Sequence, residues 1–328
     1  MSTDAERRSR LLSLKLRALV RDHLGLDGDA AGSAHVFSPG AAFVTPDATW
    51  LLVDGDASRS LGGSLAWAAA HDLPVNILVE RDSGVLARRA AFFETPVNVW
   101  HVDDRVLLPA VAEPYPSPVS PPDSHRAFVP VIEDAGADAV IEHGVVVGEV
   151  RGLEMCRVVD DATSGEARLE VGMGAHDREA FAMVHGDMPT SEALRSVIES
   201  VRVHREEGAP AHPFNQFGAE RLHRWRALRD PALVGCTVLA PADPPVVRTN
   251  VKDAVPCAAV GTGANGATET VVFVNGVDLD VVPFALDAAA YHGSSRAVVA
   301  LRQRDMVPSM ERMARAARLA VEFRVIGS

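Results

Sequence analysis

The sequence predicts an α/β protein in which two βαβαβ half-units, one at each end, flank a central α+β domain. Three observations carry that expectation. Short apolar strands alternate with helix-length segments near both termini. Two proline-dense stretches, residues 109–124 and 240–256, interrupt the 328-residue chain. Between them lies a helix, a strand meander and further helices, with carboxylates on successive strands. The expected division is a helix plus βαβαβ unit over 1–110, a linker over 111–124 and the central domain over 125–239. A second linker over 240–256 and a C-terminal unit over 257–328 complete it.

The first element is an amphipathic helix over residues 4–24, where Leu11, Leu12, Leu14, Leu16, Leu19 and Val20 recur near helical spacing. From Trp50 the pattern changes. "WLLVDGD", "VNILVE" and "VNVWHV" read as strands, separated by the helices "SLGGSLAWAAAHDL" and "GVLARRAAFF". At the other end "TVVFVNGVDLD", "RAVVALRQ" and "AVEFRVI" are strands around the helices "VVPFALDAAAYH" and "MVPSMERMARAA". "SLAWAAAH", ending at His71, matches "FALDAAAYH", ending at His292, and Arg81-Asp82 matches Arg304-Asp305. Such self-similarity fits an internal duplication, or two half-domains that pair into one sheet. Chance likeness between two alanine-rich units is the other reading.

Composition narrows the function classes. An apolar content of 47% supports a core, and a charged content of 23% is ordinary for a globular protein. A net charge of −12 argues against a protein that coats nucleic acid, although a local basic patch stays compatible with it. No apolar run is long enough to span a bilayer, and no secretory segment opens the chain. Cys156, Cys236 and Cys257 lie far apart with no C-x-x-C spacing, which predicts neither a disulfide framework nor a cysteine zinc site. These features fit a cytoplasmic protein. Abundant Ala, Val, Arg and Asp with few Lys fits a GC-rich bacterial gene.

The middle segment holds the densest chemistry. "HRAFVPVIEDAG" reads as a helix carrying Glu133, and "AVIEHGVVVGEVRG", "LEMCRVVDD" and "ARLEVGMG" as three strands, with Glu154 on the second and Glu170 on the third. "AHDREAF" opens a helix, where Asp177 can cap free N–H groups. In this order, and with these acids, residues 125–181 resemble the core of the PD-(D/E)XK nucleases. The resemblance implies that Glu133, Glu154 and Glu170 hold Mg²⁺ or Mn²⁺. His176 and Asp177 would then assist as catalytic groups. The family places a lysine two residues after its third acid; Gly172 stands there, and Arg178 is the first cation beyond. A catalytically degenerate copy is therefore as much implied as an enzyme. An acidic hairpin with no site is the structural alternative.

Two further places were candidates for binding. Ligands of parallel α/β sheets lie outside the carboxyl ends of the strands, which here are the acidic turns with Asp54 and Asp56 and with Asp278 and Asp280. In "HPFNQFGAERLHRWRALRDP" the residues Arg221, Arg224 and Trp225 form a basic and aromatic cluster that could hold nucleic-acid phosphate or stack a base. The same helix could instead pack Leu222 and Trp225 inward and leave its arginines in solvent. No G-x-G-x-x-G, P-loop, G-x-S-x-G or H-E-x-x-H motif occurs, so no nucleotide cofactor is signalled. The expectations are thus a metal-dependent nuclease-like protein, a homo-oligomeric interaction scaffold, or a small-ligand sensor built on the acidic turns.

Overall fold

The computed structural model describes residues 3–174, 177–180, 183, 190–206, 208–210, 212–247 and 255–327. Two units emerge: residues 1–114, 277–290 and 306–322 form one, and residues 115–276, 291–305 and 323–328 the other.

The first unit opens with α1 (Thr3–His23) and a sheet of β1 (Ser33–Phe37), β2 (Gly40–Val44), β3 (Thr49–Val53), β4 (Val75–Val79), β5 (Val97–Asp103) and β6 (Val106–Pro109) in chain order. Here β3, β4 and β5 are parallel, connected by α2 (Leu61–Ala68) and α3 (Ser83–Ala90). This is the expected N-terminal βαβαβ order. Every residue of β3 and β4 is buried, as their unbroken apolar runs require of central parallel strands. Leu16, Leu19 and Val20 of α1 close one face over Phe43, Trp50, Leu52 and Leu78. The antiparallel additions β1, β2 and β6 are not visible in the periodicity.

The second unit contains α4 (Asp123–Arg126), α5 (Val129–Asp134) and an antiparallel meander of β7 (Asp138–Glu142), β8 (Val145–Val150), β9 (Leu153–Asp160) and β10 (Ala167–Val171). Four strands stand where three were expected. His143 and Gly144 take positive φ values of 46° and 76°, and this two-residue hairpin turn splits the first predicted strand. Then come α6 (Thr190–Arg202) and α7 (Ala219–Arg229). A second sheet follows, ordered β11 (Cys236–Ala242), β12 (Cys257–Gly263), β13 (Thr268–Phe273), β14 (Arg296–Leu301) and β15 (Val321–Val325).

The meander has two unlike faces. One packs Val146, Val150, Leu153, Cys156 and Val158 against Ile132 of α5 and Leu194, Ile198 and Val201 of α6. The register of β8 on β9 shifts between Gly148 and Glu149. This bulge turns Glu154 to the same side as Arg157, whose partner on β10 is Glu170. Asp138, Glu142 and Glu149 alternate onto that side as well. Arg221 and Arg224 of α7 meet this charged face, while Ala227 and Leu228 of the same helix join Phe273 and Val298 in the core of the second sheet.

Between β13 and β14 the chain forms α8 (Val281–Tyr291), and between β14 and β15 it forms α9 (Pro308–Arg315). The C-terminal βαβαβ order is therefore present, with β13 and β14 parallel. Two expectations change. The N- and C-terminal strands lie in separate sheets and do not pair into one. The C-terminal half is not a unit of its own, because residues 277–290 and 306–322 belong with the first unit. The stretch 240–256 is also no domain linker: it connects β11 to its antiparallel neighbour β12, and Pro241 is tolerated because β11 is an edge strand. Among the described residues no helix is long and apolar enough to cross a membrane.

Candidate functional site

The charged face of the meander is a row of carboxylates, each answered by a cation. Arg221 donates to Glu149 Oε1 and Glu142 Oε2, both at 2.5 Å, and Arg224 reaches Glu142 Oε1 at 2.5 Å and Glu149 Oε1 at 3.3 Å. Both arginines are almost wholly enclosed, at 3% and 1% exposure. Burial alone would raise the Glu142 proton affinity, but Arg224 and Arg221 outweigh it and hold the carboxyl at about 2. Trp225 donates Nε1–H to Asp138 at 2.8 Å, beside Arg229 on the same carboxylate. Arg221, Arg224 and Trp225 are thus not an exposed patch for nucleic acid. The carboxylates that take them in lie about 70–90 residues earlier in the chain.

The nuclease-like residues divide between the two faces. Glu133 is exposed on α5, which covers the apolar side of the meander. Glu154 and Glu170 are on the charged side, and Arg178 stands between them, with Nη1 3.6 Å from Glu154 and Nε 3.0 Å from Glu170. Arg157 adds two bonds to Glu154, of 3.0 and 3.1 Å. The three glutamates do not converge, and a guanidinium fills the position a divalent cation would need. Among the described residues no group of three His, Cys, Asp or Glu side chains is placed to hold a metal ion. Gly172 has its own reason: a Cβ there would come 2.8 Å from the Arg178 nitrogen, and its φ of 137° disfavours any side chain. Asp177 is exposed and accepts the Met173 N–H at 2.9 Å, a local turn contact. His176 lies outside the described residues.

The acidic turns have internal partners too, all within the first unit. Asp54 takes a bidentate contact from Arg8 at 2.7 and 3.0 Å. Asp56 caps the turn at Ser58, accepting its N–H at 2.9 Å and its hydroxyl at 2.6 Å. Asp278 pairs with Arg59 at 2.8 Å, and Asp280 accepts the Gly62 N–H at 2.9 Å. The two turns singled out in the sequence therefore meet through Arg59 and Gly62. The contact is a structural joint, for each carboxylate already has a donor.

Sequence reasoning missed the place where cations lack such partners. A cleft of about 630 Å³ in the second unit is lined by Arg151, Arg205, His223 and Arg226, with Leu222 and Ile326 among its apolar walls. Arg151 sits in the tight turn between β8 and β9 at φ 48°, followed by Gly152 at φ 82°. That turn is pressed onto the start of α7: a Cβ on Gly152 would overlap the backbone of Arg221 and Leu222. Arg205 is only 4% exposed. Its donors reach the carbonyls of Arg151, Phe214, Phe217 and Gly218 at 2.8–3.2 Å, and no carboxylate touches it among the described residues. Burial lowers its proton affinity to about 10, outweighing the fields of Glu149 and Glu220, and Arg151 and Arg226 push the same way as burial. His223 is held at about 4, chiefly by burial and then by Arg226 and Arg302, so its ring is neutral near pH 7. Its Nδ1 is buried with no hydrogen-bond partner.

No protein-family model, curated protein or solved structure matches this chain. Chemistry alone must therefore distinguish the sites. The carboxylate row and the acidic turns are neutralised from within, whereas cations outnumber carboxylates among the groups that line the cleft. The only trace of it in the sequence is the arginine spacing on α7: Arg221 and Arg224 turn to the sheet, while Arg226 turns away from it.

Proposed function

We propose that this chain is a binding protein for a small anionic ligand, held in the cleft by Arg226 in the field of the buried Arg205 charge, and that its nuclease-like sheet does not serve as a catalytic metal centre. The observation that carries the reading is Arg205, a buried guanidinium bonded only to carbonyls. Carbonyl bonds and the fields of Glu149 and Glu220 offset the burial of that charge only in part, and an anion in the cleft would add the opposite charge. Arg226 and Arg151 add further positive charge to the same opening, in a protein whose net charge is −12. The guanidinium fork suits carboxylate and phosphate oxygens. Of the expected functions this lies nearest the ligand sensor, moved from the acidic turns to the cleft.

Titration of pyrophosphate into the full chain, followed by calorimetry, tests the reading. One saturable site per chain, weakened as ionic strength rises, supports it. Absence of any anion binding counts against it. So does Mn²⁺-dependent cleavage of DNA that disappears in Glu154→Gln.

A further inference from the structure

The cleft also indicates which anion it takes. We infer that its ligand is a small organic phosphomonoester in the dianionic state, an inference that rests on the anion-binding reading above. Three guanidiniums at the cleft, those of Arg151, Arg205 and Arg226, have no carboxylate bonded to them among the described residues, while the fourth, Arg229, is paired with Asp138. One carboxylate, the exposed Glu206, lies on the rim. Among the lining groups the imbalance is two positive charges, with Glu149 and Glu220 acting on Arg205 from outside the cleft. A carboxylate or sulfate monoester would cancel one, whereas a phosphomonoester carries about −1.5 to −2 at pH 7.

The polar atoms fit the same group. The Arg226 guanidinium makes no hydrogen bond or ion pair among the described residues, so its fork is open. His223 Nδ1 is enclosed beside it without a partner, and in the tautomer with the proton on Nδ1 it can donate to a phosphate or ester oxygen while the ring keeps its bond to Asn275. Neither Arg205 nor His223 moves freely, for both are more than nine-tenths buried, so the anion site is preorganised. Leu222, Leu233 and Ile326 offer an apolar wall that inorganic phosphate could not use, which calls for an organic body. The Trp225 ring already carries the guanidiniums of Arg151 and Arg229, at 5.2 and 4.0 Å from its centroid. A base of a nucleic-acid strand would have to displace one of them to stack there.

The test compares phenyl phosphate, phenyl sulfate, inorganic phosphate and a single-stranded oligonucleotide by calorimetry on the full chain at equal ionic strength. Phenyl phosphate should bind one-to-one and about tenfold more tightly than phenyl sulfate, a factor of ten for the extra charge at about 1.4 kcal/mol. Its affinity should rise about fivefold from pH 5 to pH 7 as the second phosphate proton leaves near pH 6, with no such rise for the sulfate. Inorganic phosphate should bind more weakly than phenyl phosphate. In Arg226→Gln the affinity should fall at least tenfold at unchanged thermal stability, and Arg226→Lys should restore part of it. Equal binding of sulfate and phosphate esters, or a flat pH profile, overturns the phosphomonoester while leaving an anion site in place. Equal binding of inorganic phosphate overturns the organic body. Tighter binding of the oligonucleotide overturns the small molecule. If no probe binds, this inference and the anion-binding reading both fall.

Discussion

Replacing Glu142 by Gln tests the charge row that seats α7 and thereby forms one wall of the cleft. Glu142 accepts from Arg221 and Arg224 at 2.5 Å each, and its side chain is 13% exposed. Its carboxyl is held at about 2 against an ordinary value of 4.5. At about 1.4 kcal/mol per tenfold change in proton affinity, the carboxylate contributes about 3 kcal/mol of folding stability at neutral pH. The sign follows from the direction of the shift. The folded value is depressed, so the contribution is complete above pH 4.5 and disappears as pH falls through 2. Glu142→Gln keeps the shape but removes the charge, leaving Arg221 and Arg224 on Glu149 alone. Urea unfolding at pH 7, with two probes to check that the transition is single, should show a loss of about 3 kcal/mol. At pH 3 the deficit should shrink to about half or less, because the carboxyl of the unfolded wild-type chain is then protonated while the folded one is still mostly ionised. A deficit under about 1 kcal/mol at pH 7, or one that does not change with pH, would refute the reasoning.

Three more outcomes are expected. Gly152→Ala should cost about 2 kcal/mol or more in the urea midpoint, because the site has φ 82° and a Cβ there overlaps the start of α7. Arg178→Ala should lower stability by about 1–3 kcal/mol, less than a fully orphaned buried pair because Arg157 stays on Glu154. The same variant should gain Mn²⁺ affinity absent from the wild type, read by calorimetry. In the first unit, burial holds Asp280 at about 6 against an ordinary 3.8. That value is raised, so the charged form is penalised fully above pH 6 and not at all below 3.8. Asp280→Asn, which keeps an acceptor for the Gly62 N–H, should therefore stabilise by up to about 3 kcal/mol at pH 8 and by nothing at pH 3.5, as measured by thermal melting.

What the sequence reveals here is what local pattern can carry. Apolar runs mark β3, β4 and β5 because parallel strands are buried on both faces. Spacing marks α1 because one stripe must face the core. Glu154 and Glu170 do lie on the expected strands, yet their chemistry depends on Arg178 and on a bulge, and neither leaves a periodic trace. The basic cluster on α7 misleads for a physical reason. A helix rich in arginine looks solvated until carboxylates elsewhere in the chain take it in, and Glu142 and Glu149 come from a hairpin that pairs with it only in three dimensions. The cleft is less legible still. Its groups arrive from the β8–β9 turn, the segment after α6, α7 and residues 326–327. No single stretch carries more than a fragment of it.

The most direct measurement is a pair of crystal structures of the full chain, one grown with phenyl phosphate and one with Mn²⁺. The account predicts an anion in the cleft within hydrogen-bonding distance of Arg226 and of His223 Nδ1, with the Arg178 guanidinium still between Glu154 and Glu170. A cleft without the anion, and Mn²⁺ coordinated by Glu154 and Glu170 in place of Arg178, would contradict it.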